Sequence, residues 1–189
     1  MRRNETTFLA LDAGKTLPKE EALAQLARRY FTSRGPVTLA DFTYWSGLLV
    51  SEARAGFEAI KAELVTEVID GQAYWLSPDM PEPPQRSLYL LPGFDEYVLG
   101  YKDRTAVIEA HYLDAICPGG NGVFMSTIVR DGRIIGTWKR TLKPKTVDIV
   151  FQPLQPLDAE GLGLLAEAAA EYGAFLGLRA TMRTAPLTF

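Results

Sequence analysis

The densest run of side chains able to do chemistry lies between residues 130 and 145. Arg130, Arg133, Lys139, Arg140, Lys143 and Lys145 stand there against one carboxylate, Asp131, for a local charge of +5. Guanidinium and ammonium groups at this density suit phosphate oxygens. Such contacts are electrostatic, indifferent to base sequence and weakened by salt. The same cations equally suit a solvated sheet edge that must not pair with another strand. Ser51 and Arg54 form a second candidate, able to reach a phosphate or a guanine edge. The outward charges of their segment oppose that role: Glu52, Arg54, Glu58, Lys61 and Glu63 sum to −1.

Other groupings have chemistry in principle. Phe94-Asp95-Glu96-Tyr97, with Asp103 nearby, offers carboxylates for general acid or base work, or for capping a turn and pairing with Lys102 and Arg104. Cys117-Pro118-Gly119-Gly120-Asn121-Gly122 is a glycine-rich loop. No Lys-Ser/Thr pair follows its glycines, so it is not a phosphate-binding loop of the nucleotide-hydrolase kind. His111 and Cys117 are the only histidine and cysteine, which excludes an intrachain disulfide and a zinc site built on several Cys or His ligands. Trp45, Trp75 and Trp138 suit core packing or base stacking. None of these groupings gives a catalytic assignment, and the sequence implies no metal and no cofactor.

The elements that must position these groups are legible from periodicity. Leu23, Leu26, Ala27, Tyr30 and Phe31 repeat at helical spacing, which predicts a helix over residues 20–33, stopped by Gly35-Pro36. Thr38 suits the cap of a short helix over 39–46, with Asp41 at the reciprocal position. Gly47 makes a turn, and Ala53, Phe57, Ile60 and Leu64 predict a third helix from about residue 50 to 64. Residues 65–69 and 73–76 flank Asp70-Gly71, a hairpin signal. Helix, short helix, turn, helix, hairpin is the order of a winged helix, with a helix-turn-helix and a β-hairpin wing.

Four prolines in residues 78–84 place a linker there, dividing a winged-helix domain (1–80) from a β-rich domain (85–189). In the latter, residues 87–91, 122–129, 133–140 and 145–151 read as strands, with Asp131-Gly132 as a second hairpin turn. Residues 106–113 fit helix or strand equally. A helix is predicted over about 159–176, and 178–187 is strand-like but short. The expected fold class is α+β: a winged helix followed by a small antiparallel sheet packed by a C-terminal helix.

Three ordered segments resemble a known family: Ala27-Arg28-Arg29-Tyr30-Phe31 with Asp41-Phe42-Thr43-Tyr44-Trp45-Ser46-Gly47-Leu48; Leu91-Pro92-Gly93-Phe94-Asp95-Glu96-Tyr97-Val98-Leu99-Gly100-Tyr101-Lys102-Asp103-Arg104; and Asn121-Gly122-Val123-Phe124 with Asp131-Gly132-Arg133-Ile134-Ile135-Gly136-Thr137-Trp138-Lys139-Arg140. Together they resemble the bacterial winged-helix DNA-binding family that includes the winged-helix DNA glycosylases of alkylation and crosslink repair. The resemblance runs from about Thr6 to Met182. It implies a C-terminal half only, because members of the family are about twice as long. It also implies a catalytic Gln-X-Gln or Gln-X-Asp motif in the other half. Gln25, Gln72, Gln85, Gln152 and Gln155 stand in no such motif.

Composition bounds the function. The chain has 189 residues, 47% hydrophobic and 23% charged, with a net charge of −3, so it is globular and not a basic nucleic-acid coat. No apolar run approaches the length of about 18 residues that spans a membrane. Met1-Arg2-Arg3-Asn4-Glu5-Thr6-Thr7-Phe8 is not a secretory signal, and a cytoplasmic setting is expected. The expected role is a non-catalytic module binding the double-stranded DNA backbone weakly and non-specifically, joined by an N-terminal winged-helix half or a partner chain. The alternatives are a glycosylase completed by that half or partner, and a protein–protein interaction module.

Overall fold

The computed structural model describes residue 14 and residues 16–84 and 87–186. Met1–Phe8, with the signal-peptide reading made there, and residue 187 of the last strand-like segment lie outside the described residues. The chain is α+β and divides into two compact units. The first comprises residues up to Leu39 and Leu48–Pro78; the second comprises Ala40–Gly47 and the chain from Asp79 onward.

In the first unit, α1 (Lys19–Arg34) packs on α3 (Val50–Ile60), which ends in a single 3-10 turn, Lys61–Glu63. The helical repeat in α1 buries Ala27, Tyr30 and Phe31; that in α3 buries Ala53, Phe57 and Ile60. Phe57 links the helices to the hairpin: its ring lies 5.2 Å from Phe31 and 5.1 Å, edge-on, from Trp75, a geometry aromatic pairs favour. The helices approach closely because α3 carries Gly56, whose Cβ would stand 2.7 Å from the Leu23 carbonyl. Strands β1 (Val65–Ile69) and β2 (Gln72–Leu76) pair antiparallel. Asp70 and Gly71 both have positive φ, 50° and 78°, as a type I′ turn demands. Val37 bridges the outer edge of β2 at Trp75.

Helix α2 (Leu39–Ser46) belongs almost wholly to the second unit. Asp41 is buried there and accepts the Lys102 N–H at 2.8 Å; Trp45 donates to Glu96 at 2.9 Å. The unit is built on a five-stranded sheet in the order β3 (Leu88–Leu91), β4 (Thr127–Arg130), β5 (Arg133–Leu142), β6 (Thr146–Pro153), β7 (Arg179–Thr184). The sheet is mixed, not antiparallel as expected: β7 runs parallel to β6. A parallel neighbour requires a crossover, and α6 (Ala159–Leu176) supplies it. Leu165 and Ala169 of α6 pack on Ile128, Trp138, Val147, Ile149 and Phe151 from one sheet face. Gly173 lets α6 lie close to β7, since a Cβ there would meet that of Ala180 at 2.8 Å. On the other face, Val129 and Ile134 pack with Val98 of α4 (Glu96–Leu99), Ile108 and Ile116 of α5 (Leu113–Ile116). This second cluster covers the β4–β5 turn end of that face.

Two further expectations change. Residues 122–126 are not strand: Gly122 has φ of 79° and the Met125 N–H bonds the Ile116 carbonyl, so only 127–130 join the sheet. Residues 106–113 are not one helix or strand but turns leading into a 3-10 turn at Ala110–Tyr112 and the first residue of α5, Leu113.

Candidate nucleic-acid interface

The six cations between 130 and 145 divide three ways. Arg130 faces α6 and is spent there: its guanidinium lies 3.2 Å from Asp158, 3.1 Å from Glu160 and 3.6 Å from Asp131. Asp158 also caps α6 by accepting the Gly161 N–H at 2.7 Å. That bond first, and Arg130 second, hold its carboxyl below the usual range. Arg140 sits over the Tyr172 ring of α6 at 5.4 Å. Arg133 is at the far end of β5, where it lines a cavity of about 220 Å³ with Glu109, Tyr112 and Gln155.

The remaining three gather at the other end of the sheet. Side chains alternate across a strand, so Lys139, next to the buried Trp138, lies on the face away from α6. It is in register with Val150 of β6, and Val150 with Arg183 of β7. One step along, Thr141, Asp148 and Thr181 form a second row, and Thr146 and Arg179 a third. Lys143 pairs with Asp148, which also accepts from Thr181 at 2.7 Å. Lys143 and then Thr181 lower the Asp148 carboxyl pKa. Lys145 lies in the β5–β6 turn, its carbonyl accepting the Arg179 N–H at 3.4 Å.

The result is a bare, cationic sheet face. Lys139, Lys145, Arg179 and Arg183 are exposed, and among the described residues none of the four is in an ion pair. Sequence reasoning missed Arg179 and Arg183. The available signal was period two, with Ala180 and Met182 alternating against Arg179, Thr181 and Arg183. With strands about 4.8 Å apart and a rise of about 3.3 Å per residue, these cations span about 10 Å across the sheet and about 13 Å along it.

The α3 candidates stand in a different setting. Ser51 and Arg54 are exposed near the start of α3, but the carboxylates around them are already paired. Glu52 pairs with Lys19, Glu58 with Lys61 at 3.5 Å, and Glu63 with Arg28 at 2.7 Å. Lys19 and Arg28 hold the Glu52 and Glu63 carboxyls below their usual range by hydrogen bonding.

The other groupings serve the fold. Asp95 caps α4 through the Tyr97 N–H at 2.8 Å, and Asp103 accepts from the Thr105 N–H at 2.9 Å. Tyr97 donates to the Gly132 carbonyl at 2.6 Å, and burial raises its hydroxyl pKa. His111 stands 3.6 Å from Glu109 and stacks against Tyr112, rather than meeting Cys117. Trp138 donates to the Leu91 carbonyl at 2.8 Å and packs on Tyr172. The glycine-rich loop borders a cleft of about 570 Å³ whose walls include Tyr44, Arg104, Asp114 and Phe124. Arg104 is held there between the two rings, 5.7 Å from Tyr44 and 5.1 Å from Phe124. Among the described residues there is no group of three or more His, Cys, Asp or Glu side chains that could hold a metal ion, and no helix long and apolar enough to cross a membrane.

The sequence profile of the family described as "DNA glycosylase AlkZ-like" matches residues 4–175. The chain belongs to the AlkZ-like DNA glycosylase family. A curated relative, the "Interstrand DNA cross-link repair glycosylase" of Streptomyces sahachiroi, is 26% identical over 152 residues, covering 73% of this chain and 41% of the relative. Among solved structures, the Streptomyces sahachiroi DNA glycosylase AlkZ superposes with a TM-score of 0.74 at 22% identity, over 91% of this chain and 48% of that one. The AlkZ-like fold is therefore shared, and the chain spans about half the length of the relatives it matches.

Proposed function

We propose that this chain is the DNA-holding part of an AlkZ-like repair glycosylase. It grips the duplex backbone through the bare sheet face and does no bond-breaking chemistry of its own. The observation that carries this is the cluster of Lys139, Arg183 and Arg179 on one sheet face with Lys145 in the adjoining turn. None of these cations is in an ion pair among the described residues, and Asp148, the carboxylate on that face, is engaged by Lys143 and Thr181, which suits the surface to an anionic partner. A surface of this span meets several phosphates, since duplex DNA carries one charge per 1.7 Å or so of axis. It reads no bases, so affinity is weak and sequence-neutral.

In this proposal the order α1, α2, α3, β1–β2 hairpin is that of a winged helix, and α3 acts as scaffold more than reader, because it carries two carboxylates, Glu52 and Glu58, against the single cation Arg54. The chain corresponds to the C-terminal half of such an enzyme. The catalytic glutamines come from the complementary half or a partner chain, consistent with the absence of Gln-X-Gln and Gln-X-Asp here.

Fluorescence anisotropy of a labelled random-sequence duplex across a salt series tests the proposal. Four phosphate contacts give a log–log salt slope of about −3.6, and Lys139→Glu with Arg183→Glu makes it shallower by about 1.8. An unchanged slope in the double variant overturns the site. The competing proposal is catalysis by this chain itself, favoured by a glycosylase-family match over residues 4–175. Release of a base from alkylated or crosslinked duplex by this chain alone establishes that alternative.

A further inference from the structure

The β1–β2 hairpin spans residues 65–76 and contains Glu67 and Asp70 but no lysine or arginine. Its charge repels phosphate, so it does not share the role assigned to the cationic sheet. Its surface is nevertheless apolar. All five β1 residues are exposed, with Val68 at 68% and Ile69 at 52%.

The two edges of this hairpin differ. The outer edge of β2 is occupied: Val37 donates to the Trp75 carbonyl at 3.0 Å and accepts from its N–H at 2.8 Å. β1 has β2 on one side and, among the described residues, no backbone bond on the other. A strand edge left this way presents a row of unpaired N–H and C=O groups. Protected edges are very short or carry a bulge, proline or charged side chains, lysine above all; β1 is five residues long and has one such charge, the acid Glu67. β1 reads Val65-Thr66-Glu67-Val68-Ile69, four residues of high β propensity around one acid, in unbroken register with β2.

We propose that β1 is a docking edge for an extended strand of a partner polypeptide that places a lysine or arginine opposite Glu67. Strand addition of this kind takes its affinity from main-chain bonds and its selectivity from alternate side chains. Val65, Glu67 and Ile69 share one face, so the complementary strand is apolar, basic, apolar at the same spacing. Opposite charges directly across a strand pair attract, and like charges repel.

That rule disfavours a second copy of this chain. Two-fold antiparallel pairing centred on Glu67 sets Glu67 against Glu67. Centring on Thr66 or Val68 sets it against Val65 or Ile69, which offers its carboxylate no partner. A basic strand from another polypeptide satisfies the edge without either penalty.

The test is a charge swap. The probe is a labelled nine-residue peptide alternating threonine with valine, with lysine at its centre and both ends. Saturable micromolar binding to the whole chain is expected, with slowed hydrogen exchange confined to β1 amides. Glu67→Lys, on an exposed site, should weaken binding at least tenfold, and a probe with glutamate at its centre should restore it on that variant. Absence of saturable binding, indifference to the swap, or concentration-dependent dimerisation lost in Glu67→Lys would each overturn the proposal. DNA affinity is not expected to change in this variant, so the result stands apart from that of the sheet face.

Discussion

The two units of this chain use charge in opposite ways. In the first, Lys19, Arg28 and Lys61 are matched to Glu52, Glu63 and Glu58, Arg29 and Arg54 are exposed on different helices outside these pairs, and the exposed remainder includes Leu49, Val50, Val68 and Ile69. In the second, Arg130 and Lys143 are matched to carboxylates, but Lys139, Arg179 and Arg183 are exposed on one sheet face and Lys145 in the adjoining β5–β6 turn. Net charge therefore says little about where a polyanion lands. A chain at −3 overall presents a concentrated cationic surface because its carboxylates are placed elsewhere or already engaged. The lesson is that a local charge sum over sequence must be corrected for pairing before it becomes a binding surface.

Three perturbations sharpen or break this contrast. The largest effect on stability is expected from Phe57→Ala, which removes the ring joining Phe31 to Trp75. It should cost about 3–5 kcal/mol in urea unfolding of the first unit. Unaltered DNA affinity of the folded protein would confirm that the first unit is scaffold; a parallel loss of binding would break the contrast. Next, Arg179→Glu with Arg183→Glu should lower duplex affinity more than tenfold at low salt, while Arg54→Glu on α3 should change it less than twofold. Equal losses in anisotropy titrations would return α3 to the role of reader. The smallest effect concerns Asp158. Its carboxyl is depressed in the folded chain, so its charge-dependent stabilisation is complete above the unfolded value of about 3.9. That stabilisation is lost as pH falls through the folded value. The stability gap between wild type and Asp158→Ala, followed by circular dichroism, should therefore be widest at neutral pH and narrow in acid.

Much of the architecture was legible in local pattern. The repeats through Tyr30 and Phe57, the Asp70-Gly71 and Asp131-Gly132 turns and the α6 helix each declare themselves within a few residues, because helix faces and tight turns are short-range physics. What was not legible depended on distance. Phe124 and Met125 have strand-forming side chains, yet Phe124 packs under Arg104 and the Met125 backbone bonds Ile116. Arg130 counts as +1 in the sequence, but its carboxylates come 28 and 30 residues later. The β7 arginines lie 33 residues from their partners on β6, and as an exposed edge strand β7 has only the half-buried Ala180 on its inner side to announce it. Thus the cationic site was half visible: its lysines belong to a hairpin, its arginines to a long connection.

Parallel pairing of β6 and β7 has one more consequence. The crossover through α6 delivers the arginine strand into register and, by the same path, blankets the opposite side of the sheet with helix. Because period two separates the two sides, each residue of the bare side can be exchanged with little disturbance to what α6 holds. The molecule thus carries a variable electrostatic surface on a fixed chassis. A substitution on the bare side changes the charge presented there without touching a strand pairing or the crossing.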